Sequence, residues 1–156
     1  MFRLLIVDDE YYVRVGIKSA IDWSEIGVEV VGEAADGEEA LEMALSSRPD
    51  IILTDVRMPF MDGLTLMERL RSKMPECGFI VLSGHNEFEY ARQAIRQGAF
   101  AYLLKPIDRQ ELKDTVFAAA MKKMQDNRSA REYYEVLSGE YFELQQRFLQ
   151  SLLKIS

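Results

Sequence analysis

Of the 156 residues only one, Cys77, is a cysteine, so no disulfide can form within the chain. The lone thiol reads as a small hydrophobe near the start of a strand rather than as a reactive group. Basic residues are in short supply as well. Nineteen Lys and Arg stand against 26 Asp and Glu, a formal net charge of -7. That balance argues against nonspecific nucleic-acid binding by these residues as a whole, and it leaves open a DNA-binding domain outside them. No apolar run approaches the roughly 20 residues that span a bilayer. No basic-then-apolar leader opens the chain, because charged residues follow the first apolar run at once. The expectation is a soluble, cytoplasmic protein with no membrane contact.

What is present is a set of short apolar runs, each closed by charge. Leu4-Leu5-Ile6-Val7 ends in Asp8-Asp9, Ile51-Ile52-Leu53-Thr54 ends in Asp55, and Ala101-Tyr102-Leu103-Leu104 ends in Lys105-Pro106. Apolar runs of this length between helical stretches read as buried parallel strands. In an open parallel sheet, ligands bind outside the carboxyl ends of the strands, where the strand order reverses. If all three runs lie in one such sheet, three carboxylates and one ammonium meet in a single crevice. Bare carboxylates that close repel one another and resist ionising together. A divalent cation relieves that repulsion, and a lysine beside it suits a phosphoryl oxygen.

Strand and helix signals alternate up to about residue 107. Strands are expected over residues 3–7, 28–34, 79–82 and 101–104 and in the run ending at Asp55; the second alternates only in part and suits a sheet edge. Four helical stripes separate them, marked by Val13, Ile17 and Ile21, by Ala40 and Ala44, by Leu64, Met67 and Leu70, and by Phe88, Ala91 and Ala94. Residues 22–27 read as a connection. Gly98 closes the fourth helix, and Gly63 after Asp62 suits a turn that needs positive φ. Five βα units with parallel strands predict right-handed crossovers and helices on both faces. A long helix follows from about Asp108. From residue 108 to 155 there is no proline, and Gly139 is the one glycine. Leu112 and Val116 suit packing on their own domain. Tyr134, Leu137, Tyr141, Leu144 and Phe148 fall at alternating spacings of three and four, a heptad-like seam interrupted at Ser138-Gly139. Past residue 125 a partner helix is expected, for dimerisation or for docking on a further domain. The chain thus divides into a domain over 1–122 and a helical linker or dimerisation segment over 123–156.

Asp8-Asp9, Asp55 and Lys105 form the central constellation. Adjacent acids after a strand say little alone; the full set, with five βα units between, says much. The order of parts resembles the receiver domains of two-component response regulators, from residue 3 to about 122. The motifs are Leu5-Ile6-Val7-Asp8-Asp9-Glu10, Thr54-Asp55-Val56-Arg57-Met58-Pro59 with Asp62-Gly63, Leu82-Ser83-Gly84, and Tyr102-Leu103-Leu104-Lys105-Pro106. The resemblance implies an α/β, flavodoxin-like, doubly wound sheet of five parallel strands in the order 2-1-3-4-5, with an extended C-terminal helix. It implies that Asp55 is the phosphoacceptor, taking a phosphoryl group from a phosphohistidine of a sensor histidine kinase. Asp8 and Asp9 would hold Mg²⁺, with Asp9 and Asp55 as direct ligands and the backbone carbonyl of Arg57 as another. Mg²⁺ suits such a set, since it prefers oxygen ligands and takes few carboxylates beside phosphate oxygens and water. Lys105, a compact point charge, would grip a phosphoryl oxygen. Ser83 would turn inward to bond that group, Gly84 would leave it room, and Tyr102 would change rotamer with Ser83. Lys105-Pro106 matches the family's cis peptide, although cis is the minority form of X-Pro bonds. Phosphorylation would switch the face formed by helix 4, strand 5 and helix 5, controlling dimerisation or a transcriptional output domain. Such a chain is not an enzyme beyond its own phosphorylation and dephosphorylation. His85 and Arg57, two residues after Ser83 and Asp55, suit tuning of the acyl-phosphate lifetime; a relay role for His85 is disfavoured.

Ile21-Asp22-Trp23, Glu87-Phe88-Glu89-Tyr90 and Gln146-Arg147-Phe148-Leu149 resemble a narrower group, regulators with an AraC-type helix-turn-helix output domain. No such domain lies within these residues, so DNA would be reached only through a domain absent from this chain. The partners implied are the kinase and, on phosphorylation, a second copy. Three alternatives compete. An Mg-dependent phosphohydrolase with an aspartyl nucleophile commonly carries a second acid two residues on, where this chain has Arg57. A flavin-binding protein of the same fold needs Ser/Thr/Gly-rich phosphate loops that are missing here. An inert domain carrying a helical dimerisation module is hard to square with intact Asp8, Asp9, Asp55, Ser83 and Lys105.

Overall fold

The computed structural model describes the backbone of residues 1–135 and the side chains of residues 1–128. Five strands, β1 (Phe2–Val7), β2 (Val28–Ala34), β3 (Ile51–Asp55), β4 (Gly78–Ser83) and β5 (Ala101–Leu104), alternate with five helices. These are α1 (Tyr11–Ala20), α2 (Gly37–Ser47), α3 (Gly63–Arg71), α4 (Phe88–Arg96) and α5 (Arg109–Glu135). All strand pairs are parallel, and the order is β2-β1-β3-β4-β5. This is the flavodoxin-like order that the resemblance implies. The order reverses at β1, which pairs with β2 on one side and β3 on the other. Asp8 and Asp55 therefore leave the sheet side by side, since Val7 pairs with Thr54.

Strand side chains alternate between faces, and the core follows that period. Leu5, Val7, Ile52 and Val81 pack with Ala40, Ala44, Leu66, Met67, Leu70 and Ala94, placing α2, α3 and α4 on one face. Leu4, Ile6, Leu53, Ile80 and Leu82 pack with Ile17, Trp23, Leu112 and Val116, placing α1 and α5 on the other. A central sheet covered twice has no polar face, which is why β1, β3 and β4 read as unbroken apolar runs. The partial alternation of β2 has a local cause. Leu4 pairs with Val30 and Leu5 with Gly32, so Val31 is an extra residue in a bulge. The connection expected over residues 22–27 contains a 3₁₀ turn, Trp23–Ile26, whose Trp23 and Ile26 are core residues. Asp22 accepts a hydrogen bond from the Ser24 N–H at the start of that turn.

One expectation is overturned. Gly63 does not have positive φ; among the described residues the left-handed position of that loop is Phe60, at φ 69°. Asp62 caps α3 by accepting from the Thr65 N–H at 2.8 Å, and Gly63 is the first helical residue. What glycine supplies there is closeness. A Cβ would press into the backbone oxygen of Asp55, while the Gly63 N–H donates to Val56 O at 2.9 Å. Gly98 does take positive φ, 102°, just past α4.

The chain falls into two compact units, Met1–Ala120 and Met121–Ser156. Leu112 and Val116 are buried in the first. The seam expected at Tyr134, Leu137, Tyr141, Leu144 and Phe148, its interruption at Ser138-Gly139 and the Gln146-Arg147-Phe148-Leu149 motif lie outside the described side chains.

Candidate functional site

The strand ends bring Asp8, Asp55 and Lys105 into contact. Asp8 follows β1 and is fully buried. Its Oδ1 accepts from the Glu10 N–H at 2.9 Å, and its carbonyl accepts from Arg14 Nη1 at 2.7 Å. Asp55 ends β3 and is also buried. Lys105 reaches both acids from the end of β5, with Nζ 2.9 Å from Asp8 Oδ2 and 3.2 Å from Asp55 Oδ2. Its backbone is held by an N–H bond to Ser83 O at 2.8 Å, and the Lys105-Pro106 peptide is cis.

Electrostatics follow from this packing. Burial pushes the Asp55 carboxyl up to about 7, and the charges of Asp8 and Glu87 push the same way against the charge and hydrogen bond of Lys105. Burial works to lower the Lys105 ammonium, but pairing with Asp8 and Asp55 outweighs it and holds the group above its ordinary value. The crevice thus has an excess of negative charge that a single lysine only partly offsets.

Asp9 and Glu10 are exposed beside Asp8, and one carboxylate oxygen from each of the three lies within 4.8 Å of the others. Asp8 Oδ2 has no well-directed hydrogen bond despite the nearby ammonium. An all-oxygen set with one under-satisfied buried atom fits a hard divalent cation such as Mg²⁺. Asp55 is not in this triple; the Lys105 ammonium bridges it to Asp8 instead. Glu10 is a candidate ligand that the sequence reading left without a role, although three consecutive acids after a strand were the signal.

The remaining expected residues ring the same end of the sheet. Ser83 ends β4, is fully buried, and its hydroxyl has no hydrogen-bond partner. Gly84 follows, and a Cβ on it would come 3.4 Å from Glu87 Oε1, so the space over Gly84 is bordered by a carboxylate. Glu87 closes a 3₁₀ turn, His85–Glu87, that leads into α4, and its Oε2 is buried without a partner. It stands one helical turn after Ser83, a spacing that could have flagged it. The side chain of Arg57 turns toward α4, its guanidinium carbon 5.4 Å from the Tyr90 ring centroid. Tyr102, partly exposed on β5, meets Phe88 edge-on at 6.4 Å. His85 is exposed, and Cys77 is half-buried against the core.

Comparison with known proteins gives the family. The model of the response regulator receiver domain matches residues 4–117. The chain is 42% identical over 112 residues to the uncharacterized transcriptional regulatory protein YesN of Bacillus subtilis, covering 72% of this chain and 30% of that protein. It is 36% identical over 112 residues to the transcriptional regulatory protein HptR of Staphylococcus aureus, covering 72% of this chain and 44% of that one. The chain therefore spans less than half the length of these curated relatives. Among solved structures, the REC domain of AraT, a response regulator from Geobacillus stearothermophilus, is 50% identical with a TM-score of 0.77, covering 81% of this chain and 98% of that one. A two component transcriptional regulator AraC from Clostridium phytofermentans is 38% identical with a TM-score of 0.75, covering 80% and 97%.

Proposed function

Because the chain belongs to the family of response regulator receiver domains, we propose that it is a phosphorylation-controlled switch in which Asp55 accepts a phosphoryl group from a sensor histidine kinase. Receiver domains are regulatory modules rather than classical enzymes. The observation that carries the reading is the meeting of Asp8, Asp55 and Lys105 where the strand order reverses.

Asp55 is the nucleophile, and its ionised form does the work. Burial opposes ionisation, and Lys105 favours it. Asp8, Asp9 and Asp55, with the Arg57 carbonyl, would hold Mg²⁺, and Glu10 lies close enough to Asp8 and Asp9 to join the set. Bound there, the cation supplies positive charge that favours ionised Asp55 and neutralises phosphoryl oxygens. As the phosphoryl group arrives, Lys105 exchanges a carboxylate oxygen for a phosphoryl oxygen. Ser83 gains a bond its hydroxyl otherwise lacks, which gives it different partners in the two states. Tyr102, in contact with Phe88 at the start of α4, carries that change to the α4–β5–α5 face.

The relatives are transcriptional regulators, so the output is DNA binding by an AraC-type domain outside these residues. Residues 123–156 serve as a linker or dimerisation segment after a receiver over 1–122. Among the described residues no helix is long and apolar enough to cross a membrane; the cytoplasmic site of action follows from the family. Arg57 and His85 tune the lifetime of the acyl phosphate; unchanged dephosphorylation rates in Arg57→Ala and His85→Ala would remove that role. The reading is tested by incubation with a small acyl-phosphate donor and Mg²⁺. Wild type should gain one phosphoryl group and Asp55→Asn none; equal labelling of the two would overturn it.

A further inference from the structure

Glu87 is an acid beside the crevice with no part in the reading above. It leans on Gly84, and its Oε2 is buried with no hydrogen-bond partner. A buried carboxylate oxygen without a donor is costly and calls for a cause. An alternative place lies next to it. α4 begins at Phe88, Glu87 stands at its N-cap, and the side chain bonds none of the free N–H groups there. An anionic side chain is favoured at a helix N-terminus. Glu87 also acts on Asp55, as one of the charges that hold that carboxyl up.

We propose that Glu87 is an electrostatic gate on the phosphoacceptor, lying inward against Gly84 while Asp55 is free and leaving for the N-terminus of α4 when Asp55 carries a phosphoryl group. The proposal rests on the phosphoacceptor reading of Asp55. Phosphorylation replaces the single charge of a carboxylate by about -1.5 to -2. That raises the repulsion on a carboxylate whose Oε2 has no hydrogen bond to hold it. Its exit is favoured twice, by relief of that repulsion and by the helix dipole. Glu87 adjoins both the Ser83-Gly84 step and the first turn of α4, so its movement couples the reacting end of the sheet to that helix. While inward, its charge favours a cation in the crevice and disfavours a phosphoryl group.

Opposite signs are the signature of such a charge. On the 156-residue chain, Mg²⁺ affinity is measured by calorimetry, and beryllofluoride uptake at saturating Mg²⁺ by fluorine NMR. Glu87→Gln removes the charge and keeps the shape. With an effective dielectric of about 20, it should weaken Mg²⁺ binding by about tenfold or more and tighten beryllofluoride binding by a smaller factor, because the ion carries two charges and beryllofluoride one. A packing defect would move both the same way. In wild type, beryllofluoride should also increase hydrogen-exchange protection in the first turn of α4, and in Glu87→Gln it should not. Unchanged affinities, shifts of equal sign, or no gain of protection in wild type would overturn the gate. If wild type takes up no beryllofluoride, or Asp55→Asn takes up as much, the phosphoacceptor reading itself fails and the gate with it.

Discussion

Replacing Asp55 with Asn should stabilise the metal-free protein, by an amount that depends on pH. The Asp55 carboxyl is raised from 3.8 to about 7 in the folded chain, chiefly by burial and then by the Asp8 charge. The folded state therefore holds this proton more tightly than the unfolded state does. Its contribution to stability is complete below about pH 4 and is lost as pH rises through about 7. At 1.36 kcal/mol per unit, the full loss is on the order of 4 kcal/mol. Asn has nearly the same shape, does not titrate, and can still accept a hydrogen bond from Lys105. The pull of Lys105 on the carboxylate is already contained in that net shift, and water reaching the crevice reduces the expected gain to about 2–4 kcal/mol. Urea unfolding in a chelating buffer measures this directly. The two proteins should be equally stable near pH 4, diverge between about 4 and 7, and differ fully by about pH 8. Saturating Mg²⁺ should narrow the gap by binding native wild type more tightly. An Asn variant less stable than wild type at the highest pH, or a gap that does not change with pH, would refute the reasoning.

Three other outcomes follow from the same geometry. Lys105→Met leaves the Asp8 and Asp55 carboxylates without their shared cation, so urea unfolding in chelator should show a loss of about 2–3 kcal/mol, partly recovered with Mg²⁺; unchanged stability would contradict the bridge. Gly63→Ala forces a methyl group into the Asp55 carbonyl and should cost about 1–3 kcal/mol in thermal unfolding while slowing phosphoryl uptake; a variant normal in both would contradict the close approach. Ser83→Ala removes a hydroxyl that has no partner, so stability should change by less than about 1 kcal/mol. The response of α4 hydrogen exchange to beryllofluoride should nevertheless shrink, and an undiminished response would remove Ser83 from the switch.

The sheet was legible because doubly covered parallel strands leave a strong local mark. Leu4 to Val7 are apolar throughout and Ile51 to Thr54 at every position but the last, and each runs into an acid just where the strand leaves the core. Strand order was not local information; it came from the resemblance. The role of Gly63 was misread because Asp-Gly signals a turn by its own conformational preference, whereas here the glycine answers to the Asp55 backbone, eight residues earlier in the chain. The two valines in sequence at 30 and 31 blurred the β2 pattern for a reason visible only in the pairing, a bulge. At the site, Asp8, Asp55 and Lys105 were readable as charges closing strands. Asp8, Asp9 and Asp55 were expected around one cation; among the described residues Asp8 and Asp9 group with Glu10, and Asp55 joins Asp8 through Lys105. Glu87 was read only as part of a motif shared with a narrower group, because its importance lies in an unsatisfied oxygen, which depends on what surrounds it.

The most direct measurement is the location of the phosphoryl group. Protein treated with a small acyl-phosphate donor and Mg²⁺ is reduced with borohydride, which converts an aspartyl phosphate to homoserine, and its peptides are then mapped by mass. Homoserine should appear at position 55 and require Mg²⁺. Homoserine at position 8 or 9 instead, or a phosphoryl group retained on His85, would contradict the account at its centre.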